Sequence, residues 1–559
     1  MTTAWLRPLA PLALLLLMAG AAQSDAIYEV APVLTNGQLT ALAVELHLRG
    51  GASGEEVLDL PLDSASGHPH LADLSVEGAE VSDSGTDKLR LRFRPGAELA
   101  IRYRLLPGSD KDPEGQSRAP VIRPEWFAVH GQSALVVPEG HDHERASLRY
   151  VSPPQDWTLT SNLSERSTTL GDVRETMLLG GMHYQEISRQ VLGAPLRLAY
   201  PPQFATVAAQ ALDDIAQVDA AERGFWRATG EPFFVAIVPL ADDVEYQGRG
   251  LNGGFALFLG DHVPKDAWLH LLAHEHMHTW ISRRIGGFPE TDSDSEAWLN
   301  EGFTEAFTAR VLLQTGLWSI DQFVADQNAA LLRYGTSPVK AAPNSRINAD
   351  RNREWDVNKL PYDRGRLLAL LWDKAFRRQT SGRVGLEDVM RAQEQQAVRD
   401  GRKGVNVSAD LLFPDVARRL TGVDLSGDIA RYVDRGEPIE LPRDLFGPCA
   451  AVVKVNQAIF DRGFDLEATQ KAHGRVTGLE PGGPAERAGL LTGDKISVDE
   501  VPSHDSQTTL SYPVSEAGGG RHVVRYKPEG AGQVTFQQIQ LKPVARSDRA
   551  KCARSLSRP

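Results

Sequence analysis

The sequence predicts a multi-domain α+β protein, and three observations carry that prediction. The first third alternates apolar and polar residues with period two. The middle is dominated by helical patterns, one of which contains the string His274-Glu275-His276-Met277-His278. The last hundred residues return to short segments broken by Gly and Pro. A chain of 559 residues has room for about three or four domains. The net charge of −13, from 60 basic and 73 acidic side chains, contains no basic stripe and argues against nucleic-acid binding.

Residues 1–22 have the layout of a secretory signal peptide: Arg7, an apolar run from Leu9 to Met18, then Ala19-Gly20-Ala21-Ala22. The run is too short to span a bilayer and is interrupted by Pro11. The expectation is a soluble protein without a membrane span, periplasmic or secreted after the signal peptide is removed. Residues 27–195 read as an antiparallel β-sandwich. Val44, Leu46 and Leu48 alternate with Glu45 and His47, Leu89, Leu91 and Phe93 with arginines, and Ile101, Tyr103 and Leu105 with Arg102 and Arg104.

Residues 196–330 change period. An Ala-rich helix over 204–223 precedes two apolar strands, Phe233–Val238 and Gly253–Phe258. The segment around His274 lacks Pro and Gly, so it is read as a helix. There His274 and His278 lie one above the other and can hold one zinc ion, with Glu275 beside them as a general base. A third ligand is needed. The His-x-x-Gly-x-x-His extension is excluded, because Ile281 and Arg284 stand where Gly and His would be. His270 cannot complete the set, since it is roughly 12 Å along the helix from His278. His276 points to another face. Among the following acids, Glu290 lies in a Gly-Pro loop and Ser293-x-x-Glu296 reads as a capping box. Glu301 is the chosen ligand. Glu305, one turn on, is placed to hold a ligating His by its second nitrogen.

The strings His-Glu-His-Met-His-Thr-Trp and Trp-Leu-Asn-Glu-Gly-Phe-Thr resemble the glycyl aminopeptidase family. These are PDZ-bearing gluzincin metallopeptidases related to the aminopeptidase N type. The resemblance implies that 196–330 is a thermolysin-like catalytic domain with one Zn2+ per chain. It also implies a helical domain over 331–445 that completes the active site. Within 331–445, Tyr362 is followed by Arg364 and Gly365, as in the family, and would donate to the oxyanion; Tyr334 is the runner-up. A thermolysin-like fold makes Gly253, Gly254, Phe255 and Ala256 the edge strand that pairs with substrate backbone. The related aminopeptidases bind the substrate's free amine with a Glu shortly after Gly-Gly. Ala256 and Leu257 stand there instead, with Glu245 and Asp261 as nearby substitutes.

Residues 450–545 resemble a PDZ domain through Pro481-Gly482-Gly483-Pro484-Ala485 and Gly493-Asp494. Arg462, Gly463, Phe464 and Asp465 would then form the loop that holds a terminal carboxylate. The module either binds a C-terminal peptide or only packs against the rest. Cys449 and Cys552 flank it; they either bridge, or Cys449 is buried and Cys552 sits in a frayed tail over 546–559. The expected function is that of an exported zinc metallopeptidase hydrolysing peptides or proteins with a zinc-activated water, as an aminopeptidase on small N-terminal residues. Two rivals are an endopeptidase or carboxyl-end-sensing protease, and a non-catalytic PDZ adaptor.

Overall fold

A computed structural model describes residues 26–558, except 62–69, 86, 109–118, 164–167, 241–245, 261, 264, 288–294, 352, 404, 406, 498–503, 516–519 and 544–547. Residues 1–22, expected to be a signal peptide, and Glu245, Asp261, Glu290 and Ser293 therefore lie outside the described residues. Among the described residues no helix is long and apolar enough to cross a membrane. The chain divides into two compact units, one ending at Tyr184 and one beginning at Gln185.

In the first unit, period two does what it predicts. Strand Gln38–Arg49 pairs antiparallel with Ala26–Thr35 and Glu98–Leu105, placing Val44 opposite Tyr103 and Leu46 opposite Ile101. These residues are buried, while Arg104 stays exposed. The strands form three sheets of six, four and four strands around one apolar core, rather than a two-sheet sandwich. The boundary expected at 195 is also shifted. Strands Gln185–Val191 (β1) and Ala194–Tyr200 (β2) belong to the second unit, because β2 pairs in parallel with Phe233–Pro239 (β3).

That second sheet runs β1-β2-β3-β5-β4, with β4 over Tyr246–Leu251 and β5 over Gly254–Leu259. All six residues of β5 are buried between β3 and β4. The sequence placed the edge strand at Gly253–Ala256. It is instead β4, because the chain turns at Asn252-Gly253 and folds β4 back along β5. A continuous apolar run marks a strand covered on both faces, so Phe255 and Ala256 are core residues.

Helices α1 (Ala205–Trp226), α2 (Lys265–Met277), α3 (Ala297–Thr315), α4 (Ile320–Thr336) and α5 (Trp355–Gln379) carry the rest of the core. Helix α3 starts after Glu296, whose carboxylate accepts from Ser408 Oγ at 2.5 Å rather than serving as the third residue of a capping box. Helix α5 begins two turns before Tyr362 and continues through Pro361. Its apolar run Leu367–Leu370 and Trp372 is buried, as so hydrophobic a segment must be.

Helices α3 and α5 touch backbone to backbone. A Cβ built on Gly302 would lie 2.3 Å from Gly365 Cα, and one on Gly365 would lie 1.8 Å from Trp298 O. No side chain fits at either place, so the two glycines set the distance between Glu301 and Tyr362. Gly365→Ala is expected to lower stability by about 1–3 kcal/mol or more, read from the denaturant midpoint.

Strands β6 (Ala450–Phe460) and β9 (Glu529–Leu541) pair antiparallel, as do β7 (Leu510–Ser515) and β8 (Arg521–Tyr526). Phe464, Val476, Leu490, Ile496, Tyr512 and Val524 give this part its own small core. It is docked on the helices. The Asn328 amide of α4 bonds both the N–H and the C=O of Ile539, at 2.7 and 3.0 Å, and His504 Nε2 lies 2.8 Å from Asp356 Oδ1 of α5. In the expected carboxylate loop, Gly463 N–H donates to Asp461 and Asp465 N–H to Thr477 O. Arg462 Nη1 donates to the buried Tyr512 hydroxyl, and Phe464 is buried. Two backbone donors that a bound carboxylate would use are thus already taken.

The expected flexible tail over 546–559 is instead helix α6 (Arg549–Ser557). It buries Leu556 and Cys552, and Ser555 Oγ donates to Phe446 O at 3.0 Å. The apolar face of α6 explains the difference, since it joins the main core. Both cysteines are buried thiols. Burial and the neighbouring Cys449 thiol push the Cys552 pKa up to about 12. Mild oxidation should form the bridge, and thiol titration in denaturant should then find none free. A loop of about 100 residues closed this way stabilises by up to roughly 5 kcal/mol in the chain-entropy model.

Candidate active site

Helix α2 presents its last turn to α3. His274 Nε2, His278 Nε2 and Glu301 Oε2 converge there, separated by 3.1, 3.3 and 3.4 Å. Ligand atoms of a tetrahedral zinc at 2.0–2.1 Å lie about 3.3 Å apart, so the three atoms already describe one face of such a site. The three residues group as a metal-binding set. A second acidic group, Glu29, Glu45 and His47, lies on the strands of the first unit, where Arg149 and Arg102 engage the two carboxylates. Burial pulls the Glu301 pKa upward, but hydrogen bonds from His274 and His278 outweigh it and hold the carboxyl well below its usual range. Zinc binding needs that ionised form.

The far nitrogens of both imidazoles are supported. His274 Nδ1 is 3.1 Å from Glu305 Oε1, though off the hydrogen-bonding line. Glu305 also meets His270 at 3.2 Å and takes Arg366. His278 Nδ1 is 2.7 Å from Ser282 Oγ, which donates at 2.7 Å to Asn300 Oδ1. With the serine proton directed at Asn300, His278 must carry its proton on Nδ1, which leaves Nε2 as a lone-pair donor to a metal. The sequence reading found Glu305 and missed Ser282 and Asn300. Their signal was available: Ser282 is i+4 from His278, and Asn300 directly precedes Glu301.

The two remaining histidines of α2 are packing residues, as read from the sequence. His270 stacks on Trp318 with ring centroids 5.4 Å apart, and burial lowers its pKa to about 4. His276 lies 2.6 Å from Glu222 and 3.1 Å from Asp219 of α1. Burial opposes its charge, but those carboxylates raise its pKa to about 9. This buried pairing holds α2 against α1.

Glu275 faces β4, where a Cβ on Gly250 would sit 3.6 Å from its Oε2. The Tyr362 ring stacks beside His274 at 6.1 Å between centroids. Burial raises the phenol's pKa, with the negative charges of Glu301 and Glu275 adding to it, so the hydroxyl keeps its proton. Tyr334, the other candidate, accepts from Ile439 N–H at 2.9 Å and is committed to that contact. Gly253, Gly254, Phe255 and Ala256 do not line the site. Cys449 and Cys552 belong to the α6 contact, and the 462–465 loop belongs to the C-terminal part.

Residues 267–356 match the model of the M61 glycyl aminopeptidase family. This stretch is similar to the M61 glycyl aminopeptidases. It spans all three metal-binding residues and Glu275, while Tyr362 falls six positions beyond it. Among solved structures, the chain is similar to an aminopeptidase N family protein from Idiomarina loihiensis. The two share 14% identity over 94% of this chain and 99% of that one, with a TM-score of 0.67. That likeness is one of fold. An M1 zinc metallopeptidase from Deinococcus radiodurans also matches, at 17% identity over 75% of this chain and 96% of that one, with a TM-score of 0.49. No curated protein matches the chain in sequence. The M61 segment and its His-His-Glu donor set make this chain a zinc metallopeptidase of the aminopeptidase-like kind.

The donor set can be tested by metal analysis. His274→Ala, His278→Ala and Glu301→Ala should each lose the zinc. His270→Ala, which removes a packed ring, should keep one equivalent. Stoichiometric zinc in Glu301→Ala would overturn the ligand assignment.

Proposed function

We propose that the chain is an exported peptidase that cleaves peptide bonds by direct attack of water. The observation that carries this reading is the convergence of Glu275 and Tyr362 on the face of the His274–His278–Glu301 cluster. A zinc ion held there supplies Lewis-acid chemistry, polarising a carbonyl and acidifying water. Glu275 then takes the water's proton and returns it to the leaving amine. Tyr362, protonated at neutral pH, donates to the oxygen on which negative charge develops. Arg351, 3.4 Å from Glu301 Oε1, helps keep that carboxylate ionised and oriented. Substrate backbone lies along β4, the strand with an open edge beside Glu275.

The M61 segment supports an aminopeptidase acting on small N-terminal residues. One observation favours a second reading, an endopeptidase or carboxyl-end-sensing protease. The described part of the edge, Tyr246–Leu251, carries no carboxylate to receive a free amine. Hydrolysis of matched free and N-acetylated peptides separates the two, with Glu275→Ala as control. Cleavage of only the free peptide supports the aminopeptidase, and equal cleavage supports the second reading. Activity that persists in Glu275→Ala would sink both. The C-terminal part, with two of its loop donors already engaged, is proposed as a PDZ-like module docked on α4 and α5.

A further inference from the structure

Tyr362 is flanked by two cations. Lys359 precedes it by one turn on α5, and its Nζ lies 4.8 Å from the Tyr362 ring centroid and 4.7 Å from that of Trp355. The guanidinium carbon of Arg351 lies 5.9 Å from the same Tyr362 centroid.

Lys359 stands out because it is half-buried and its ammonium rests only on aromatic faces. Among the described residues, no carboxylate or carbonyl comes within hydrogen-bond distance of it. The acids nearest in sequence are committed elsewhere. Asp363, one turn on, pairs with Arg333, Asp356 with His504, and Asp350 and Glu354 with Arg346. Burial, with Arg333 and Arg351 nearby, lowers the lysine's pKa against the opposing pull of the Glu301 and Asp363 carboxylates. The described edge strand beside Glu275, Tyr246–Leu251, carries no acid. A partly desolvated ammonium beside a guanidinium binds a carboxylate more strongly than either does in open water.

We propose that Lys359 and Arg351 form a carboxylate-binding subsite beside Tyr362, and that the site selects peptides carrying a carboxylate close to the bond cut. Lys359 Nζ lies 4.8 Å from the centroid of the ring whose hydroxyl would meet the scissile carbonyl, so at about 3.4 Å per extended residue the carboxylate it binds lies within a few residues of the bond cut. It comes either from an Asp or Glu side chain or from the peptide's own C-terminus. The inference rests on the peptidase reading above and narrows its substrate class.

The test uses the zinc-loaded full chain and three matched short peptides. One carries Glu next to the scissile pair and an amidated end, one is neutral with a free C-terminal carboxylate, and one is neutral and amidated. At least one anionic peptide should show a KM about tenfold or more below the neutral one, and which one does so names the source of the carboxylate. Lys359→Met should abolish that ratio through KM, and Lys359→Arg should restore it. A wild-type ratio within about twofold for both anionic peptides would overturn the subsite, as would a ratio that survives Lys359→Met. If none of the three is cleaved, it is the peptidase reading that fails. Calorimetric binding to Glu275→Gln then judges the subsite by itself: tighter binding of an anionic peptide supports it, and equal or absent binding overturns it.

Discussion

Glu275→Gln should abolish peptide hydrolysis, with a loss of about 100-fold or more, while zinc stays at one equivalent per chain. The separation follows from the geometry. Glu275 is not one of the three converging donors; it leaves the helix beside them and faces Gly250 on β4. Glutamine keeps the shape and the contact but cannot take a proton, so the fold and the metal are untouched. A loss of 100-fold corresponds to about 2.7 kcal/mol of barrier. A Glu275→Gln chain that retains more than about a tenth of wild-type kcat would remove Glu275 from the base role. Loss of zinc in the same variant would place it among the ligands instead.

Tyr362→Phe should lower kcat by about 100- to 1000-fold and leave KM near wild type, because the phenol's hydrogen bond forms as charge develops on the carbonyl oxygen. The ring itself is needed in the ground state. It stacks beside His274 and carries Lys359 on its face, and phenylalanine preserves both contacts. A change confined to KM would make Tyr362 a substrate-binding residue. A drop in zinc content would show that its hydroxyl supports the metal.

The chemistry of the centre is legible in the sequence because it is local. His274 and Glu275 lie in the last turn of one helix and His278 directly follows it, its N–H still bonded to His274 O, so helical geometry alone decides which of them face together. Glu301 needs only one further helix. The period-two strands of the first unit and the buried run Leu367–Leu370 are legible for the same reason, since burial imposes a periodicity on the chain itself. What surrounds the centre is decided by tertiary structure. Apolarity shows that Gly254–Leu259 is a strand, but its neighbours settle whether it lies inside the sheet or at the edge. That is how β4 rather than β5 came to face the site. The tail beyond Asp548 looks polar in sequence, and its helix exists because Cys552 and Leu556 find a core to join. Gly302 and Gly365 are ordinary glycines until two helices cross at that point. The placement of Lys359 and Arg351 around Tyr362 left no mark in the sequence. A charge is read as solvated by default, and only the packing of α5 shows that this ammonium lies over the Trp355 and Tyr362 rings.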